Sequence, residues 1–173
     1  MKRLLTLILV VFLIVSMSSC HYSKSGDILE PVDYYYPRKA DAFIYGDAAG
    51  VITAEVREAS GHIGDLKYLL TMYLRGPQAE GLYSPFPADC TLEEIYIKDD
   101  TLYLHFDSKF AKLQSMELTI ACASLAKTCL SMTGLPYVCI QATSEEQDVQ
   151  ILLNEDALQF TDFSAFDADN TLE

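Results

Sequence analysis

Between Leu92 and Asp107 the chain alternates apolar and polar residues on both sides of Asp99-Asp100, and few folds accept that pattern. A period of two marks a strand with one buried face, and the two aspartates suffice for a two-residue turn. With that turn Lys98 faces Thr101, Ile97 faces Leu102, Tyr96 faces Tyr103, Ile95 faces Leu104 and Glu94 faces His105. Apolar meets apolar and polar meets polar, whereas a slip of one residue would turn the apolar set outward. The expected hairpin has a core face and an outward face, and on the outward face Tyr96 stacks with Tyr103 while Glu94 lies beside His105.

Two helices are expected around it. Residues 63–74 set Ile63, Leu66, Leu69, Leu70, Tyr73 and Leu74 on one stripe, closed by Gly76-Pro77. Residues 114–133 carry the stripe Leu118, Cys122, Leu125, Cys129 and Met132, with Gly134 as the stop. Further strands are expected at 32–36, 42–45, 51–57 and 137–142. One-faced helices and a one-faced hairpin bury their apolar surface most simply with helices on one side of a sheet. The predicted fold is therefore α+β, a single small domain with a mostly antiparallel sheet and two main helices packed on one face. A length of 173 residues, half of them apolar, agrees with one domain and a real core. No repeat or Gly/Pro/Ser-rich linker interrupts residues 32–153.

The start of the chain reads as an export signal. Lys2 and Arg3 precede an apolar stretch over 4–15, broken only by Thr6, and then Ser16-Met17-Ser18-Ser19. Twelve helical residues span about 18 Å, short of the ~30 Å hydrocarbon core, so the stretch makes a poor permanent span. Met17-Ser18-Ser19-Cys20 resembles a bacterial lipobox, in which the cysteine is diacylated and becomes the new N-terminus. Met17 stands where Leu is usual. An ordinary secretory signal cut near Ser19, or an uncleaved anchor, is the plainer alternative. The expected division is a lipoprotein signal peptide at 1–19, a tether at 20–31, a folded domain at 32–153 and an acidic C-terminal segment at 154–173. Cys20 is the lipidation site, and the expected location is the extracytoplasmic face of the cell membrane.

The chain has 12 Lys and Arg against 25 Asp and Glu, a net charge of −13, which argues against a nucleic-acid surface. Cleavage before Cys20 leaves 10 basic against 25 acidic residues, so the mature charge is −15. A polyanion on a lipid anchor is repelled from anionic headgroups and held off the surface.

No residue set points to a reaction. Cys122 and Cys129 are seven residues apart on one helix, about 10.5 Å, beyond disulfide reach. Pairings of Cys90 and Cys139 stay open beside an apolar packing role. There is no Cys-x-x-Cys and no His at ligand spacing, so no zinc or other cofactor is expected. His105, Asp107 and Ser108 invite a triad reading, but on a strand Ser108 points away from the other two. Glu93 and Glu94 face opposite sides of a strand, and no second carboxylate pair spans a cleft. Tyr34, Tyr35 and Tyr36, with Tyr22 and Tyr45, form either a binding platform or sheet packing. The stretch from Glu155 to Glu173 has acids at 155, 156, 162, 167, 169 and 173, no base, and Phe160, Phe163 and Phe166 at steps of three. It docks on a partner or folds back over an apolar edge of its own domain.

Leu74-Arg75-Gly76-Pro77, then Gly81-Leu82-Tyr83-Ser84-Pro85-Phe86-Pro87, a hairpin ending in Asp107-Ser108-Lys109-Phe110, and a helix before Gly134-Leu135-Pro136-Tyr137-Val138 occur in this order. The set resembles the GerMN domain of lipoproteins of spore-forming bacteria and other envelope lipoproteins. The chain departs from it at Asp99-Asp100, where Asp-Gly is commoner, and at Gln141-Ala142-Thr143, where Asp-Gly is usual. The resemblance implies a non-enzymatic module of sporulation or germination, similar in topology to ring-building modules of envelope channels. It carries over no catalytic residue. Gly76, Pro77 and Asp107-Ser108 match family positions as a positive-φ turn, a helix stop and a loop cap. The implied partners are envelope or sporulation-channel proteins or a second copy, met through Tyr96, Tyr103, Glu94 and His105. The other reading is a lipoprotein whose Tyr-rich N-terminal strands hold a small ligand or peptidoglycan fragment.

Overall fold

The computed structural model describes residues 30–42 and 50–161. The signal peptide, Cys20, the tether before Glu30, Tyr22, Tyr45, Phe163 and Phe166 lie outside the described residues. Strand β1 is Pro31–Pro37 and β2 is Ile52–Glu58. Helix α1 is Leu66–Leu74, β3 is Leu92–Lys98 and β4 is Thr101–Phe106. Helix α2 is Ser115–Thr133, β5 is Tyr137–Thr143 and β6 is Asp148–Leu153. Short 3-10 turns lie at Ala40–Ala42, Phe110–Lys112 and Asp156–Thr161. Ala42 ends a turn rather than opening a strand, and the rest of the strand expected at 42–45 lies outside the described residues.

The domain is α+β and mostly antiparallel, but its strands form two sheets. β1 and β2 pair from Pro31↔Glu58 to Pro37↔Ile52, and β3-β4-β5-β6 form the second sheet in that order. Within the second sheet only β4 and β5 run parallel, because the chain returns between them through α2. The hairpin register is the expected one at all five pairs. Asp99 and Asp100 both have positive φ, 47° and 59°, as the primed turn that suits strand twist requires. Asp is among the few non-glycine residues that tolerate this region.

α1 starts three residues later than the stripe suggested. Asp65 caps it, its carboxylate accepting from the Tyr68 amide at 3.0 Å, and Gly64 at φ +89° sets the preceding turn. Ile63 is left exposed outside the helix. α2 runs as expected to Gly134, a left-handed cap whose amide donates to the Leu130 carbonyl at 2.9 Å. From Ala121 to Leu130 every α2 residue except Lys127 is buried, Ser124 and Thr128 included. The reason is that α2 packs against β1 of one sheet and against β5 and β6 of the other. A single stripe could not reveal two contact faces.

The sheets are also joined by a file of aromatic rings. Tyr34 stacks on Tyr73 at 5.8 Å, and Tyr73 meets Phe86 edge to face at 5.3 Å. Phe86 lies 6.5 Å from Phe106 and 6.3 Å from Phe110. Phe86 belongs to the segment 81–87, so this loop is held by its ring in the core.

Candidate functional site

The outward face of the larger sheet carries the residues singled out in the hairpin. The Tyr96 and Tyr103 rings stack with centroids 4.8 Å apart and planes 4° from parallel. Tyr103 is aligned with Cys139 and Cys139 with Leu152, so one row crosses all four strands, exposed at its Tyr96 and Leu152 ends. Beside it runs the polar row Glu94, His105, Gln141 and Gln150.

Glu94 pairs with His105 in register, yet the carboxylate nearest the ring is that of Glu93, 3.7 Å from His105 Nδ1. The register shifts between Leu92 and Glu94, and such a bulge resets the alternation of faces. The expectation that Glu93 faces away therefore fails at this one residue. The contact is an ion pair when the imidazole is protonated.

His105, Asp107 and Ser108 do not form a triad. Asp107 Oδ2 accepts from the Thr91 amide at 3.1 Å and hydroxyl at 2.9 Å, and Oδ1 accepts from the Lys109 amide at 3.1 Å. The carboxylate is thus the cap of the corner before Phe110. Gly76 has φ +91° with the Ser84 Cβ 3.5 Å from where a Cβ would sit, so it is the turn glycine.

Tyr34 and Tyr36 are core residues, not a platform: both are buried, and only Tyr35 of the three is part-exposed. Their polar atoms are spent on the scaffold. The Tyr36 hydroxyl donates to the Tyr73 carbonyl at 2.6 Å, and the Tyr73 hydroxyl donates to the Tyr35 carbonyl at 2.7 Å. The Tyr35 amide donates to Thr128 Oγ1 on α2 at 2.9 Å. Burial pushes the Tyr36 and Tyr73 hydroxyls well above their ordinary pKa.

The four described cysteines are free thiols. Burial pushes Cys90 up to about 12, with the nearby Asp107 carboxylate adding to it, and burial alone pushes Cys122 to about 12. Neutral at physiological pH, neither is primed as a nucleophile. Among the described residues no three His, Cys, Asp or Glu side chains gather as metal ligands.

Two features were missed in the sequence. One is a buried ion pair on β2, Arg57 with Glu55, their side chains 10% and 9% exposed. Arg57 also donates to the carbonyls of Met72 at 3.2 Å and Gly76 at 2.7 Å, closing the end of α1. Glu55 accepts the Gln78 and Ala79 amides at 2.9 and 2.8 Å, fixing the chain after Gly76-Pro77. Burial raises the Glu55 pKa, but these amides and the guanidinium outweigh it and hold the carboxyl below its ordinary value. The signal was opposite charges two apart in a strand, hence on one face.

The other is a pair of clefts on either side of the Ser84–Ala88 loop. The larger, about 680 Å³, is walled by Tyr83, Pro85, Phe86, Met116 and Ile120, with Lys109, Lys112 and Glu117 among its lining. The second, about 630 Å³, includes Leu74, Arg75 and Cys90. Both share Ser84, Phe86 and Pro87, which the sequence marked only as part of the motif segment 81–87.

The described chain is thus a small α+β domain of two sheets held together by one central helix and a file of aromatic rings. It belongs to the Germane family, sporulation and spore germination, whose family model matches residues 34–158, and it is a GerMN-domain protein. The tandem GerMN domains of the sporulation protein GerM from Bacillus subtilis share the fold, with a TM-score of 0.51 at 19% identity over 71% of this chain. The chain covers 44% of that one. A candidate lipoprotein from Clostridium perfringens is similar at a TM-score of 0.40 and 18% identity, over 79% of this chain and 94% of that one. No curated protein matches the chain.

Proposed function

We propose that this chain is a lipid-anchored, extracytoplasmic GerMN protein that acts by binding protein partners of the cell envelope during sporulation or germination, without catalysing a reaction. The observation that carries this reading is the outward sheet face. A row exposed at Tyr96 and Leu152, half-buried at Tyr103 and buried at Cys139, beside a polar row, suits a protein interface, where aromatic residues are enriched and flanked by polar ones. The spent state of Asp107 and the neutral thiols support a role without chemistry. The lipobox-like Met17-Ser18-Ser19-Cys20 supports the anchor, and the charge of −15 after cleavage supports a domain held away from headgroups. Among the described residues no helix is long and apolar enough to cross a membrane. The ligand-binding alternative is weakened, because Tyr34 and Tyr36, two of the strand tyrosines it relied on, are core.

Two measurements test the reading. Cys20→Ala is expected to move the protein from the membrane fraction to the soluble one, and a variant that stays membrane-bound would contradict the anchor. Crosslinking on intact membranes is expected to join the wild-type protein to envelope partners or to itself. Recovery only as an isolated monomer would contradict the partner role.

A further inference from the structure

The cleft between the Ser84–Ala88 loop and the start of α2 is apolar, open and unusually basic for this chain. Met116 stands 69% exposed and Tyr83 37% exposed on its walls. Lys109 and Lys112 line it with a single carboxylate, Glu117, in a molecule of net charge −13. Lys109 Nζ donates to the Asp89 carbonyl at 2.7 Å, which pins its ammonium at the rim, and Lys112 is exposed. An occupant that fits brings apolar rings for Met116 and Ile120 and negative charge for the lysines.

The chain itself ends in such a segment. Residues 162–173 contain Asp162, then Phe163 and Phe166, then Asp167, Asp169 and Glu173, and no base. The turn Asp156–Thr161 that precedes them packs against α2, and Asp156 shares a hollow with Leu130 and Gly134 near the end of that helix. Ile120 lies ten residues back along the helix from Leu130, about 15 Å. Phe166 is five residues beyond Thr161 and reaches about 17 Å, and the twelve residues together reach ~40 Å. The reach and the charge match the cleft: Phe163 and Phe166 come within reach of Ile120 and Met116, and Asp167 and Asp169, which follow them, come within reach of Lys112 and Lys109.

We propose that residues 162–173 dock in this cleft of the same molecule, with Phe163 and Phe166 on Met116 and Ile120 and Asp167 and Asp169 toward Lys112 and Lys109. The segment then covers the exposed methionine, and an outside partner with an acidic, aromatic segment must displace it.

The test uses the full chain. A zero-length carbodiimide reagent, applied to a mixture of isotope-labelled and unlabelled protein, is expected to join Lys109 or Lys112 to acids of 162–173 within one copy. Links only between labelled and unlabelled copies would mean a second molecule's tail occupies the cleft, and no links would mean the cleft is empty; either overturns the proposal. Phe163 and Phe166 follow the last described element in sequence, so Phe163→Ala/Phe166→Ala should leave folding intact, and peroxide oxidation of Met116 should accelerate roughly fivefold over wild type. Lys112→Glu should accelerate it in the same direction. Met116 oxidising at the same rate in all three would overturn the proposal.

Discussion

Arg57 is the side chain on which the smaller sheet and α1 most depend. Its charge is buried with Glu55, and its remaining donors close the carbonyls of Met72 and Gly76. Removing one partner of a buried pair strands the other, so Arg57→Ala should lower stability by about 3–5 kcal/mol, measured by denaturant unfolding. Glu55 gives the same pair a pH dependence. A carboxyl held below its ordinary 4.5 in the folded state contributes stability that is present above that value and is lost as pH falls through the lowered one. Thermal unfolding between about pH 5 and about pH 2 should therefore fall more steeply for wild type than for Glu55→Gln, and parallel slopes would contradict it. Little of this was legible beforehand. A strand with Glu55 and Arg57 on one face and Val56 on the other reads as exposed on its charged side, whereas here Val56 is the exposed residue. Burial of a charge depends on partners distant in sequence, the carbonyls that end α1, which no local pattern contains.

At the scale of elements, the hairpin was fully legible because its register is fixed by alternation and turn length together. Its one departure, the bulge at Glu93, left no local trace, since a run of two glutamates fits either face. The Asp99-Asp100 turn invites a direct check. Asp99→Asn/Asp100→Gly supplies the residues this turn type favours and should raise stability by about 0.5 kcal/mol, visible as a small rise in melting temperature. The loop 81–87 was legible as a motif but not as core. Its ring links Tyr73 of α1 to Phe106 and Phe110 beside β4, so Phe86→Ala should cost about 3–5 kcal/mol. A loop residue without this bridging role would cost far less. α2 shows the opposite limit. Its end was readable from Gly134 and its core face from the apolar stripe, but Ser124 and Thr128 lie off that stripe and are buried, because the helix packs against two sheets.

For the whole molecule, the order of weak motifs pointed to the family more surely than any single residue did, and the same motifs prove to be the joints of the fold. Gly76 turns the chain after α1, Phe86 bridges the sheets and Asp107 caps the corner after β4. What the sequence left over, the outward face of the larger sheet, carries the functional claim. β6 escaped notice although Val149, Ile151 and Leu153 alternate, and its absence hid the full breadth of that face. The claim is that this face meets a protein partner outside the cytoplasm. The most direct measurement places a photo-crosslinking amino acid at Tyr96 or Leu152, and for comparison at Glu80, an exposed residue outside the larger sheet, in the full-length chain in its host. The account predicts a discrete protein adduct from Tyr96 and Leu152 and none from Glu80. Adducts from neither sheet position, or equally from all three, would contradict it.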